Sequence, residues 1–131
     1  MNLEFYADQY LKEANEKNEK KLMEEIVRLI LADENIIIDG IKNEDGSVDP
    51  SYIQVDTDNR FYFHVYTSKK RFDESGGKQA FVLSLKSLFE PIFNDDSFGG
   101  ISLNYKKGQE VVLISKENTY NYMALYLKNM K

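Results

Sequence analysis

The sequence predicts an α+β fold: one domain built on a mixed, largely antiparallel sheet with packed helices and a helical extension at the N-terminus. Three observations lead there. Apolar residues recur at helical spacing through residues 3–15 and 18–32. Short β-branched and aromatic runs alternate with turn residues between positions 35 and 66. Beyond that, strand and helix patterns are interleaved with at least two hairpins, which favours α+β over a doubly wound parallel sheet. The length of 131 residues suits a single domain, and a chain of this size buries roughly two-thirds of its unfolded surface.

The first helix is expected over residues 3–15. Leu3, Tyr6, Ala7, Tyr10, Leu11 and Ala14 share one face, with Glu4, Asp8, Lys12 and Glu13 opposite. Asn15-Glu16-Lys17-Asn18 reads as a break. A second helix, about 18–32, carries a wide apolar face of Leu22, Met23, Ile26, Val27, Ile30 and Leu31. Asn35–Asp39 is a β-branched run of the kind found in buried strands. Lys42–Ser47 is turn chemistry, because Asp45-Gly46 supplies the positive φ of a tight loop. Tyr52–Val55 and Phe61–Tyr66 are expected to form a hairpin around Thr57-Asp58-Asn59. Phe61, Phe63 and Val65 would face one way and Tyr62, His64 and Tyr66 the other.

Ser68 is an N-cap for a short helix through Asp73, and Ser75–Lys78 a loop. Gln79–Leu83 is a strand, with Ser84 placed to cap the helix that follows. Pro91 should weaken or kink that helix, since it cannot donate to the carbonyl four residues back. Asn94–Ser97 is a loop. Strands at Ile101–Asn104 and Glu110–Ile114 flank the turn residues Tyr105–Gly108 and are expected to form a hairpin. The chain closes on a helix near 119–130, with Asn118 as its N-cap and Tyr122, Met123, Tyr126, Leu127 and Met130 on one face.

Composition narrows the function classes. The chain is 42% apolar and 30% charged, with a net charge of −5. That is an ordinary globular balance, and its acidity argues against a nucleic-acid binder, which needs a basic footprint. The charge is lopsided: residues 1–59 hold 15 acids and 6 bases, and residues 60–131 hold 7 acids and 11 bases. Such polarity steers partners or simply solvates two faces. The absence of cysteine removes disulfides, thiol catalysis and thiolate metal sites. No apolar run approaches the ~20 residues of a membrane span, and Met1-Asn2-Leu3-Glu4 lacks the start of a signal peptide. A cytoplasmic protein is expected, with no cofactor, metal, nucleic acid or membrane as partner.

Local motifs carry little chemistry. His64, the one histidine, lies mid-strand without the partners that a triad or a two-histidine metal site requires. Ile41-x-Asn43-x-Asp45-Gly46-Ser47 echoes a calcium loop, but Ile41 and Tyr52 stand where Asp and Glu are needed. Gly76-Gly77-Lys78 echoes the end of a phosphate loop, but Gln79 follows and Phe72 replaces the earlier glycine. Lys78–Val82 lacks the stacking aromatics of an RNA-reading strand. Asp95-Asp96 reads as a solvated turn, although a carboxylate near His64 would be the mark of an enzyme. Lys69-Lys70-Arg71 is the densest basic cluster. Behind Ser68 it fits an acidic protein or a phosphate, or a solvated first helical turn. Nine tyrosines allow an aromatic contact surface, with Tyr6 and Tyr10 one turn apart.

The order of elements in the second half, with Tyr66-Thr67-Ser68 closing a strand and Gly100-Ile101-Ser102-Leu103-Asn104-Tyr105 later, resembles the N-terminal domain of the bacterial SseB ("enhanced serine sensitivity") family. Tyr66 stands where that family has Phe, and Tyr105 where it has Pro. The resemblance covers about residues 20–127, so the chain divides into an extension, 1–19, and an SseB-like domain, 20–131. It implies a fold and a link to serine sensitivity but defines no catalytic residue. Thr67, Ser68 and Asn104 match its motifs. The expected function is a non-catalytic protein-interaction or regulatory module, with Tyr6, Tyr10, Thr67, Ser68, Lys69, Lys70, Arg71 and Asn104 as its candidate surface. The expected partner is a protein, a second copy of the chain included. The alternative is a small-ligand regulatory domain with a pocket near Ser68 and Asn104.

Overall fold

The computed structural model describes residues 2–129. Helix α1 (Leu3–Lys12) leads into α2 (Glu16–Leu31). The break between them is fixed by Asn15, whose side chain accepts from the Asn18 N–H at 2.8 Å, so α2 starts two residues before its expected position. Strands β1 (Asn35–Lys42) and β2 (Val48–Pro50) form a hairpin, and β3 (Tyr52–Val55) and β4 (Arg60–Tyr66) form another. Helix α3 (Lys69–Ser75), β5 (Ala80–Ser84), α4 (Leu85–Asn94), β6 (Phe98–Leu103), β7 (Val112–Ser115) and α5 (Lys116–Asn129) follow.

All seven strands join one sheet. Every pairing is antiparallel except β4 with β6, so the sheet is mixed and largely antiparallel, as the sequence predicts. Its centre is forked. β1 and β4 pair through only Ile37–Tyr66 and Ile38–Val65. Beyond that point each strand takes its own partner, β2 on β1 and β3 on β4. Ser51 alone joins β2 to β3, and it sits in the crotch. Its N–H donates to the Asp39 carbonyl (2.9 Å), its carbonyl accepts from the His64 N–H (3.0 Å) and its hydroxyl donates to the Asp39 carboxylate (3.1 Å).

The core lies between one sheet face and the helices α1, α2 and α4. Leu3, Leu22, Ile26, Leu29, Leu85, Phe89 and Ile92 pack there against Ile38, Val65, Ile101 and Ile114, all fully or almost fully buried. The helical extension is thus present as α1 and belongs to the common core: Leu3 is 0% exposed. On the opposite face α3 sets Phe72 edge-on against Tyr66, with ring centroids 5.4 Å apart.

Several local expectations shift. β1 runs three residues further than predicted, into the hairpin with β2, a strand the turn residues concealed. α4 continues through Pro91 to Asn94, because its buried face of Leu85, Leu88, Phe89 and Ile92 outweighs one missing hydrogen bond. α5 begins at Lys116, and Asn118 is not its N-cap. Ser115 takes that role, its hydroxyl accepting from the Asn118 N–H at 3.1 Å. The face expected for α5 is only half-buried at Tyr122, Met123 and Tyr126, and Leu127 is exposed; Met130 lies outside the described residues.

Candidate functional site

The structure gathers half of the sequence-derived site residues, Thr67, Ser68, Arg71 and Asn104, into one half-buried joint. Thr67 and Ser68 directly follow β4, Asn104 directly follows β6, and the parallel pairing of these strands brings the two ends together. Asn104 holds a left-handed backbone, φ 57°, which asparagine tolerates better than most residues. Its side-chain oxygen accepts from the Thr67 N–H (2.9 Å) and its amide donates to the Thr67 hydroxyl (3.0 Å). The hydroxyls of Thr67 and Ser68 reach Glu4 of α1 at 3.2 and 3.0 Å. Arg71 completes the joint, 3.2 Å from Glu4 and 2.7 Å from Asp8. Ser68 also caps α3, accepting from the Arg71 N–H. The joint therefore ties α1 to the sheet. Tyr6 and Tyr10 are half-buried against the core. Lys69 and Lys70 remain exposed, Lys69 paired with Asp73 at 2.6 Å. Beside the joint lies a polar hollow of about 320 Å³ lined by Lys70, Arg71, Glu74, Asn104, Lys106 and Gln109.

His64 is buried in the sheet opposite Ser102, and its Nδ1 is 2.6 Å from the Ser102 hydroxyl. Its ring stacks on Tyr105, with centroids 4.3 Å apart. Burial holds the imidazole below its ordinary pKa, and the nearby Asp39 charge opposes that only in part. Ser102 is 0% exposed, so its hydroxyl is shielded from solvent. Asp95 turns away into its own loop, accepting from the Ser97 N–H. Asp96 is exposed, 4.0 Å from Lys116.

The other motifs resolve into turns. Asp45 accepts from the N–H and hydroxyl of Ser47, and Asn43 donates to that hydroxyl. After Gly77, the N–H groups of Lys78 and Gln79 donate to the Asp39 carboxylate at 3.0 and 3.1 Å. An internal carboxylate thus takes donors of the kind a phosphate loop presents to its anion. Among the described residues no group of three or more His, Cys, Asp or Glu is placed to hold a metal ion, and no helix is long and apolar enough to cross a membrane.

The feature the sequence did not point to is the fork. Between its two hairpins lies a groove of about 580 Å³ lined by Ile41, Asp49, Pro50, Ser51, Tyr52, Phe63 and Phe98. Tyr52, Phe61, Phe63 and Phe98 form a continuous aromatic cluster, with centroids 4.8 to 6.4 Å apart. Ile41 and Tyr52 are 57% and 55% exposed, while Phe63 beneath them is 6% exposed. An apolar floor with exposed apolar walls is the usual form of a binding groove. The only sequence signal was the density of aromatics in residues 52–63; their convergence with Phe98 depends on the β4–β6 pairing.

No protein-family model matches the chain, and neither a curated protein nor a solved structure matches it.

Proposed function

We propose that this protein is a non-catalytic protein-interaction module and that its contact surface is the aromatic groove of the forked sheet. The observation that carries the reading is the exposure of Ile41 and Tyr52 over a buried Phe63 in a groove of about 580 Å³. Large aromatic side chains in a partly desolvated groove are the groups that dominate interface energetics. The test is affinity capture from the native cell with the intact chain and with the double variant Ile41→Ser/Tyr52→Ser. A stoichiometric partner retained by the wild type should be lost from this variant and kept by Tyr120→Ser/Leu125→Ser, which removes exposed apolar groups elsewhere. Equal retention by both variants would move the surface away from the fork.

A second reading, a small-ligand regulatory domain, is favoured by the polar hollow beside Asn104, where three bases, Lys70, Arg71 and Lys106, face one acid, Glu74. It predicts a rise in melting temperature with amino acids or phosphorylated metabolites, since a ligand at 100 times its Kd adds about 2.7 kcal/mol. No rise across such a panel would dismiss it.

A further inference from the structure

We propose that the partner segment received by the fork is a basic, arginine- or lysine-bearing peptide in extended conformation. This rests on the reading of the fork as the contact surface and adds the chemical class of what binds there. Three features of the fork converge on it.

The first is charge. Residues 43–59, which form the turns and inner strands of both hairpins, contain Glu44, Asp45, Asp49, Asp56 and Asp58 and no basic residue. None of these five carboxylates is in an ion pair among the described residues. Of the bases that flank the segment, Arg60 is bound to Glu117 at 2.8 Å and its charge also reaches Asp58, which leaves Lys42 against the other four acids. Hydrogen bonds from Ser47 and Tyr62 hold Asp45 and Asp58 below the usual carboxylate range, so both stay charged well below neutral pH.

The second is the aromatic floor. Faces of Tyr and Phe attract an ammonium or guanidinium group placed over them. Asp49 in the groove wall favours the same cation, as do the four acids of the two hairpin turns. A neutral apolar peptide would use the floor and gain nothing from these carboxylates. An acidic peptide would be repelled by them.

The third is the backbone. β2 pairs only with β1 and β3 only with β4, so each keeps one edge without a strand partner. Such edges recruit an extended segment by main-chain hydrogen bonding, with alternate side chains read by the groove. An extended peptide with a cation at every second position presents those cations on one side.

The test uses three pools of synthetic decapeptides, randomised at odd positions and carrying Arg, Ser or Glu at every even position. Each pool is passed over the immobilised full chain. The Arg pool should be retained at least tenfold over the Ser and Glu pools, with the preference shrinking as salt is raised. Retention should fall at least fivefold with Ile41→Ser/Tyr52→Ser and with Glu44→Gln/Asp49→Asn/Asp56→Asn. It should hold with Glu13→Gln/Glu16→Gln/Glu24→Gln, which removes equal charge from α2 and the break before it. Circular dichroism of each variant establishes that it is folded before it is compared. Equal loss in the two triple variants would mean diffuse attraction to an acidic protein and would overturn the proposal. Preference for the Ser or Glu pool, lost with Ile41→Ser/Tyr52→Ser, would overturn the basic partner and leave the fork as the surface. Retention that ignores every fork substitution would overturn both.

Discussion

At the scale of single residues, the chain uses polar groups to hold its sheet together. Asn104 is one case: its left-handed backbone turns the end of β6 and its amide clamps the end of β4. Gly100 is another. With φ 153° it lets β7 approach so closely that a Cβ there would collide with the Ile114 carbonyl oxygen. The motif around residues 100–104 therefore has a structural reason for both of its punctuating residues. His64 yields a pH prediction. Burial lowers its folded pKa below the ordinary value of about 6.5. The neutral ring is the native form, so its contribution is fully present above the unfolded pKa and is lost as pH falls towards the folded one. Glu25, Asp58 and Glu117 are held below the usual carboxylate range by Arg28, Tyr62 and Arg60 respectively, and so stay ionised through that window. Urea unfolding of the wild type should therefore give lower stability at pH 5.5 than at 7.5. His64→Gln should flatten the difference. An undiminished slope in the variant would assign the pH dependence to another group.

At the scale of elements, caps and amphipathic faces were legible in the sequence where the signal is local. Ser68 and Ser84 cap α3 and α4 as read, each accepting from the N–H three residues on. The start of α5 was misread because two polar residues compete there, and only the strand register decides that Ser115 ends β7 and caps the helix. Lys116, just beyond, was not legible at all. It is 8% exposed, and its amine donates to the carbonyls of Ile92 (3.1 Å) and Asp95 (3.0 Å). It thereby satisfies the orphan Ile92 carbonyl at the end of α4 with a positive charge, which the helix dipole also favours, and shares the Asp95 carbonyl with the Phe98 N–H. Replacing Lys116 by Met keeps the stem and removes the donor, leaving the Ile92 carbonyl short of a partner. Hydrogen bonds to charged groups contribute about 1.5–3 kcal/mol, so Lys116→Met should lower the denaturant midpoint by a corresponding amount. Lys86→Met, at an exposed position of α4, should change stability by less than about 0.5 kcal/mol. Equal effects would deny Lys116 its role as the clasp between α4 and α5.

At the scale of the whole molecule, the fold class was readable because alternation and turn residues are local, whereas the fork was not. It arises from β1 and β4 parting after two residue pairs, and nothing in either strand alone announces that. The joint of Glu4, Thr67, Ser68, Arg71 and Asn104 was hidden for the same reason: its members are up to 100 residues apart in sequence, so their polar side chains read equally well as an exposed surface. The forked architecture has a dynamic consequence. β4 is bonded along both edges, to β6 on one side and to β1 and β3 on the other, and its residues 62–66 are buried. β2 and β3 are each supported along one edge only, and their exposed residues carry the groove. Local opening is easiest where few buried contacts oppose it. Native-state hydrogen exchange should therefore rank the amides of residues 62–66 among the slowest, opening only with global unfolding. Paired amides of residues 48–55 should open sub-globally, well before them. A bound peptide bridging the fork would slow the second set selectively. If residues 48–55 exchange as slowly as β4 without any ligand, the hairpins are not separate cooperative units, and the groove between them is a rigid cleft set by the core.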